Sequence, residues 1–276
     1  MAHIPKISAV AQLVRRHDRD RFATALFASP ERREALFALY AFNYEVARIR
    51  EVVSEPILGS IRLQWWREAV EAAAKGEPPR QHEVAAPLAA AIGKYNLDGE
   101  LFQGMLDARE ADLTGEPPAT LQALELYAAA TGGNLAALAL QILGVGEMVE
   151  AVRHVGTGYA LAGLLRAAAF HARMRRSFIP AELDPKRSVL NLKPTPELAT
   201  AARAMALAAG VNLEKARALK DKVPRQGIAA LLPAVLAETW LKRLEAAHYN
   251  VFDPRLAAPD PWRGFRLWRA ARAGRF

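Results

Sequence analysis

Residues 35–53 read ALFALYAFNYEVARIREVV, and residues 156–176 read GTGYALAGLLRAAAFHARMRR. In both stretches apolar residues recur three and four positions apart, which places them on one face of an α-helix. Ser29, Pro30 and Glu31 precede the first stretch and supply a hydroxyl N-cap, a proline at the first helical position and an early acid. Each stretch also carries polar residues on its apolar face, so both helices are candidates for carrying chemistry.

The helical period continues on both sides of these stretches. Further helices are predicted over residues 57–75, 83–94, 98–113, 120–143, 147–176, 196–219 and 227–247. No run of alternating β-branched residues bounded by turns predicts a strand, and no linker rich in glycine or serine divides the chain. We therefore predict an all-α fold with a single domain over residues 1–276, in which residues 248–276 form a basic, aromatic tail.

The composition narrows the function classes. The 276 residues are 52% hydrophobic and 24% charged, which is typical of a folded, soluble protein. There is no cysteine, and this excludes disulfides, thiolate zinc sites and cysteine nucleophiles. The first 22 residues lack the continuous apolar stretch of a signal peptide, and no transmembrane helix is expected because no run of about 18 apolar residues is found.

The net charge of +8 indicates either a basic solvated surface or an acidic partner. An anionic lipid and a diphosphate-bearing substrate both fit such a partner. Nucleic acid is not expected, because the chain has no zinc-finger spacing, no recognition-helix pattern and no stacking-aromatic motif.

Several short motifs, in order, resemble those of squalene and phytoene synthases. The first helix contains Ala38-Leu39-Tyr40-Ala41-Phe42, and the second contains Leu165-Arg166, followed by Arg176 and Phe178-Ile179-Pro180. The likeness extends from about residue 21 to about residue 190. It implies an isoprenoid-synthase-like helical bundle around a central cavity that both helices line.

The resemblance fails at the residues that would bind metal. In the family, aspartates four positions apart on the two helices hold magnesium, which bridges to the substrate diphosphate. The matching positions here are Ala47, Arg48, Glu51, Ala167 and His171. Magnesium requires several hard oxygen ligands, and Glu51 is the one carboxylate among the five. We therefore expect no bound metal and no confident catalytic residue, with magnesium as a cofactor only if other carboxylates, such as Glu45, Asp107 or Glu110, replace the lost ones.

The polar residues that remain on these helices are candidates for binding an anionic ligand directly. They are Tyr40, Asn43, Arg48, Arg166 and Arg176. Arginine presents paired donors to phosphate oxygens. Arg166 has a structural alternative, an ion pair with Glu45, Glu51 or Asp107, and His171 is either a core histidine or a ligand for a metal softer than magnesium.

The tail over residues 261–276 mixes aromatic residues with arginines. Such a segment suits an anionic membrane surface, with its aromatic side chains inserted and its cations at the phosphates. Docking on the chain's own domain is the alternative.

The family includes a branch that is not a synthase, represented by a mitochondrial assembly factor of respiratory complex I. The resemblance with loss of the aspartates implies a non-catalytic protein of that branch, with complex I subunits or assembly intermediates as partners. It would be cytoplasmic, or in the mitochondrial matrix if organellar, and peripheral to the inner membrane. The alternatives are an active prenyltransferase that condenses prenyl diphosphates head to head, and a carrier or sensor of an isoprenoid or phosphorylated lipid.

Overall fold

The computed structural model describes residues 7–145, 149–219 and 224–276, and this part of the chain contains helices and no β-strand. The predicted start of a helix at residue 147 and the first six residues of the N-terminal segment lie outside the described residues. The helices are α1 (Ala9–His17), α2 (Arg19–Ala25), α3 (Pro30–Ala47), α4 (Ile49–Val52), α5 (Pro56–Ala74), α6 (Ala85–Tyr95), α7 (Gly99–Thr114), α8 (Leu121–Ala128), α9 (Asn134–Ile142), α10 (Val149–Arg166), α11 (Ala168–Arg173), α12 (Pro196–Ala218), α13 (Ile228–Leu231), α14 (Pro233–Ala246) and α15 (Arg263–Ala273). The predicted all-α fold is confirmed.

The helix starts follow local rules for the backbone N–H groups that a helix leaves free. Asp98, Thr120 and Thr195 accept hydrogen bonds at the starts of α7, α8 and α12. Ser29 occupies the predicted N-cap position of α3 with Pro30 following it, but its side chain makes no capping hydrogen bond.

Both motif helices differ from the prediction, because each is interrupted at one residue. The first breaks at Arg48 (φ −87°, ψ −5°) and the second at Ala167 (φ −88°, ψ −1°). Neither position holds proline or glycine, the usual causes of a kink. The helix predicted over residues 227–247 also divides, and here the cause is Pro233, which lacks the N–H that a helix interior requires.

Helix α10 lies at the centre and packs against α9, α12 and α14, while α3 packs against α1, α6 and α9. One cluster of buried apolar residues joins elements from α1 to α15. Phe42 touches Trp66 and Phe102 edge to face, with ring centroids 5.2 and 5.3 Å apart. This core fixes α3 beside α5 and α7.

The stretch Leu121–Ile142 is long and apolar enough to span a membrane by length and hydropathy, contrary to the expectation of no such segment. However, 61% of its most apolar window is buried inside the fold. Leu124, Leu135 and Leu138 have essentially no exposed surface. The stretch therefore serves as a core element here.

Candidate functional site: an arginine-lined cavity

A cavity of about 490 Å³ lies between α3 and α10, and both motif helices contribute to its wall. Asn43 faces it from α3, and Tyr159, Gly163 and Arg166 face it from α10. The wall also includes the corner between α1 and α2, part of α7, and the N-terminal end of α15. Its charged residues are six arginines, Arg16, Arg19, Arg21, Arg109, Arg166 and Arg263, and two aspartates, Asp18 and Asp20.

A close approach of two backbones shapes the floor of this cavity. Residues Ala129–Gly133 form a π-helical turn between α8 and α9, and Thr131 and Gly132 of this turn line the cavity. A Cβ atom on Gly132 would lie 2.4 Å from the carbonyl oxygen of Gly156, and one on Gly156 would lie 2.2 Å from that of Gly132. Both positions need glycine because any larger residue would push α10 away from the turn. The contact sets the position of the polar residues of α10.

Asp20 is the common hydrogen-bond acceptor for three residues of the cavity wall. Its carboxylate accepts hydrogen bonds from Arg166 Nη1 at 2.7 Å, from Arg263 Nη1 at 3.2 Å and from the Tyr159 hydroxyl at 3.2 Å. Burial by itself raises the pKa of Asp20, but the charges of Arg166 and Arg263 and the hydrogen bonds from Arg166 and Tyr159 outweigh it, so the net pKa lies below the usual value. Asp20 is therefore an anion in this wall.

A second ion pair lies beside the first. Arg21 Nη1 donates to Asp18 at 2.7 Å, and the Asp18 side chain also caps α2. The guanidinium of Arg21 stands over the ring of Tyr159 at 4.8 Å and that of Tyr40 at 5.8 Å. Burial raises the pKa of Tyr40 to about 12. Tyr40 is therefore a neutral phenol, and its ring makes a cation–π contact with Arg21.

A third pair closes the cavity on the α7 side. Arg109 Nη1 donates to the Tyr127 hydroxyl at 2.6 Å and to Asp112 at 3.2 Å, and the hydroxyl donates to the same carboxylate at 3.0 Å. Arg176 approaches this group from outside and donates to the backbone oxygen of Asp112 at 3.2 Å. Each of the three carboxylates near the cavity is therefore already paired with arginine.

The five positions that correspond to the lost aspartates lie beyond this wall. Among the residues that the structure describes, those that line the cavity include none of Ala47, Arg48, Glu51, Ala167 and His171. Arg48 pairs weakly with Glu45 at 3.5 Å and stands over the Tyr44 ring, and the side chain of Glu51 is exposed.

His171 lies among aromatic rings. Its ring centroid is 5.5 Å from that of Phe170 and 4.9 Å from that of Phe178, and its Nδ1 is buried without a hydrogen-bond partner. Burial, with the charges of Arg176 and Arg109, lowers the pKa of His171 to about 4. The imidazole is therefore neutral at physiological pH.

The donor set does not suit a magnesium cluster. Across residues 7–145, 149–219 and 224–276, no three His, Asp or Glu side chains are grouped so that they could hold a metal ion. Magnesium needs oxygen ligands, whereas this cavity presents guanidinium groups to its interior. The arrangement instead offers N–H donors to an anion, without a metal between them.

Several residues of this wall are not predicted from the sequence. Asp20, Arg21, Arg109 and Arg263 come from three separate helices, α2, α7 and α15. Asp20 is the partner of Arg166 in place of Glu45, Glu51 or Asp107. The run of alternating charge over residues 17–21 is a signal that points to the first two. Nothing local indicates that a helix near the C-terminus reaches the same place.

Comparison with known proteins places this geometry in a family. The family model for squalene/phytoene synthase matches residues 14–263. A relative from Mus musculus named NADH dehydrogenase (ubiquinone) complex I, assembly factor 6, is 31% identical over 252 residues, which cover 89% of this chain and 75% of the mouse protein. A presqualene diphosphate synthase from Rhodopseudomonas palustris is 27% identical over 165 residues, or 59% of this chain and 58% of that enzyme.

The fold agrees with these sequence matches. The crystal structure of a dehydrosqualene synthase in complex with a ligand superposes with a TM-score of 0.79 at 16% identity, and covers 96% of this chain and 94% of its own. The order of motifs, the cavity between α3 and α10 and the match over residues 14–263 lead to one conclusion. The chain belongs to the squalene/phytoene synthase family.

Proposed function

We propose that this protein is a non-catalytic member of its family that supports the assembly of respiratory complex I at a membrane surface. The observation that carries the proposal is the replacement of the metal-binding positions by Ala47, Arg48, Ala167 and His171. The mouse relative, which is named as a complex I assembly factor, supports the choice of process. Subunits or assembly intermediates of complex I are the proposed partners, on the cytoplasmic or matrix side of the inner membrane.

Loss of the metal positions removes the means of stabilising a departing diphosphate. When bound, magnesium would neutralise the leaving group as the allylic cation forms. Electrostatic stabilisation of this kind is commonly the largest contribution to catalysis, and removing a single comparable donor costs about 2.7–4 kcal/mol. We therefore expect no condensation of prenyl diphosphates at enzymatic rates.

Two measurements test the proposal together. In cells that lack the gene, restoring it should restore assembled complex I, measured on native gels and as NADH:quinone oxidoreductase activity of membranes. The purified protein, incubated with farnesyl or geranylgeranyl diphosphate and magnesium, should yield no squalene or phytoene. Product that depends on magnesium would establish the prenyltransferase alternative, and complex I levels that do not respond to the gene would refute the role in assembly.

A second candidate function, binding of a phosphorylated isoprenoid or other lipid, rests on the excess of arginine in the cavity wall. Arg16 and Arg19 have no carboxylate within 4.0 Å among the described residues, so their donors remain available. An acidic wall would need metal ions before it accepted a phosphate, whereas this wall does not. The proposal is that an anionic headgroup binds here in the absence of magnesium.

Arg166→Ala tests this ligand site, with farnesyl diphosphate as the probe in buffer that contains a chelator. Charge-assisted hydrogen bonds contribute about 1.5–3 kcal/mol, so the variant should bind at least tenfold more weakly. Arg203→Ala removes the same charge from an exposed position on α12 and should leave binding unchanged. If Arg166 only neutralises Asp20, the variant should instead lose melting temperature while its affinity for the probe stays at the wild-type value.

A further inference from the structure

Helix α15 has two different faces, and its sequence is RGFRLWRAARA. Leu267 is buried on one face, and Ala270 and Ala271 pack beside it against the core. On the same side of the helix, Arg263 reaches Asp20 at the rim of the cavity. The sequence predicts that the tail either lies on an anionic membrane or docks on its own domain. The structure shows that this face of α15 packs on the chain's own fold.

The opposite face carries a row of exposed aromatic side chains. Trp262, Phe265 and Trp268 are three positions apart and remain 63%, 53% and 51% exposed. The rings of Phe265 and Trp268 stack with centroids 5.9 Å apart, and Trp262 meets Phe265 edge to face at 6.3 Å. Large aromatic residues seldom stand together in water without a partner. We call these three residues the aromatic row.

Basic side chains surround the aromatic row. Residues 261–276 contain five arginines and no aspartate or glutamate. Arg269 and Arg272 lie on the same helix face as the row, one turn apart, and Arg272 stands over the Trp268 ring at 5.8 Å. In the described chain neither arginine has a carboxylate within 4.0 Å. The partner that complements this face is therefore anionic as well as apolar.

A groove runs beside the row between α14 and the tail, and its charges agree with this conclusion. Lys242, Arg243 and Arg275 line it together with Arg266 and Arg269. Its two carboxylates, Glu238 and Asp260, are already paired with Lys242 and Arg266. Phosphate groups in this groove would lie next to the aromatic row.

We propose that the aromatic row and its arginines form a docking surface for an anionic phospholipid bilayer, with Trp262, Phe265 and Trp268 inserted at the headgroup boundary. A bilayer supplies an apolar layer beneath a layer of phosphates, which matches aromatic rings flanked by cations. A second copy of this chain fits poorly because it would bring like charges together. The three rings present roughly 300 Å² of surface, well below the ~800 Å² per partner that a stable protein interface buries.

This proposal rests on the proposed function, because it specifies which surface accounts for the membrane association. It also sets an orientation, since Arg263 joins the docked helix to the rim of the arginine-lined cavity. The bilayer would lie on the side of α15 opposite to the side that contacts this rim.

The test is co-sedimentation of the full chain with vesicles of phosphatidylcholine alone and of phosphatidylcholine with phosphatidylglycerol. The wild type should bind the anionic vesicles and be released by added salt. Replacing the aromatic row by serine (Trp262→Ser, Phe265→Ser, Trp268→Ser) should lower the partition coefficient at least tenfold. Arg269→Gln with Arg272→Gln should lower the partition coefficient about twenty-five-fold, because each basic residue at an anionic surface contributes roughly fivefold.

The matched control replaces another exposed apolar group, Ile57, Leu58 and Ile61 on α5, which are 61%, 44% and 59% exposed. Serine at these three positions should leave vesicle binding at the wild-type value. Brominated lipid provides a second readout, since it should quench the fluorescence of the wild type more strongly than that of the serine triple variant. Melting curves identify any variant that has lost its fold, and Leu267 is kept in all of them so that α15 remains docked.

Two results would overturn the proposal: a wild type that ignores anionic vesicles at low salt, or a serine triple variant that binds them as well as the control does. The complementation assay for complex I separates this failure from failure of the proposed function. A chain that restores complex I without binding vesicles refutes the docking surface and the membrane location, and leaves the role in assembly standing. A chain that binds vesicles through the aromatic row but leaves complex I unchanged refutes the role in assembly alone.

Discussion

His171 should make the protein sensitive to mild acid, and the size of the effect follows from its surroundings. The folded protein holds the pKa of His171 at about 4, against 6.5 for a free histidine, because burial and two nearby arginines disfavour the imidazolium. As pH falls below 6.5 the unfolded chain takes up a proton at this residue, while the folded chain does so only near pH 4. The free energy of unfolding is therefore highest above pH 6.5 and decreases as the pH falls from 6.5 through 4.

Each unit of difference in pKa corresponds to about 1.36 kcal/mol. The free energy of unfolding should therefore be lower by about 2 kcal/mol at pH ~5 and by about 3 kcal/mol at pH ~4 than at neutral pH. The variant His171→Phe removes the titrating group and keeps an aromatic ring between Phe170 and Phe178. It also removes a buried Nδ1 that has no partner among the described residues. At neutral pH the variant should be at least as stable as the wild type.

The assay is urea unfolding of both proteins from pH ~7.5 down to pH ~5. The carboxylates are common to the two, so the difference between the curves reports His171 alone. The advantage of the variant should grow by about 2 kcal/mol over this range. Parallel curves would refute the reasoning, and stabilisation of the wild type but not of the variant by zinc would show that His171 is a metal ligand.

Two further predictions concern packing and buried charge. Gly156→Ala sets a methyl group against the carbonyl oxygen of Gly132 and should lower the free energy of unfolding by about 1–3 kcal/mol. Gly210→Ala, at a helical position with open space around it, should leave that free energy unchanged or raise it by about 0.5–1 kcal/mol. Equal melting temperatures of the two variants would contradict this account of the cavity floor. Asp112→Asn leaves the buried guanidinium of Arg109 without its counter-charge and should cost about 3–5 kcal/mol in urea unfolding. Asp107→Asn, at an exposed carboxylate on the same helix that pairs with Arg67 of α5, should cost less than about 1 kcal/mol.

Much of the fold could be predicted from the sequence, because most of its helices carry a strong apolar period. The predicted helices over residues 57–75 and 98–113 agree closely with Pro56–Ala74 and Gly99–Thr114. Helices α1, α2 and α15 are missing from the prediction. Their segments are short and crowded with arginine, and most of their stability comes from packing on the rest of the fold, as for Leu267.

The interruptions at Arg48 and Ala167 were not predictable for a related reason. Neither residue is a helix breaker, so propensity favours a continuous helix at both positions. The π-helical turn at Ala129–Gly133 likewise lies within a stretch that reads as one helix. Such deviations depend on how neighbouring helices fit together, as the contact between Gly132 and Gly156 shows.

The sequence by itself determined what the site lacks. Alanine at positions 47 and 167 cannot bind a metal in any fold, so the loss of the aspartates limits the chemistry before the helices are placed. The tertiary structure alone decided which charges meet. Asp20 and Arg166 are 146 residues apart, and Arg263 joins them from the other end of the chain. Ion pairs between distant segments act over a few ångströms in space and leave no pattern along the sequence, so the partners of Asp20 follow only from the packing of α2, α10 and α15.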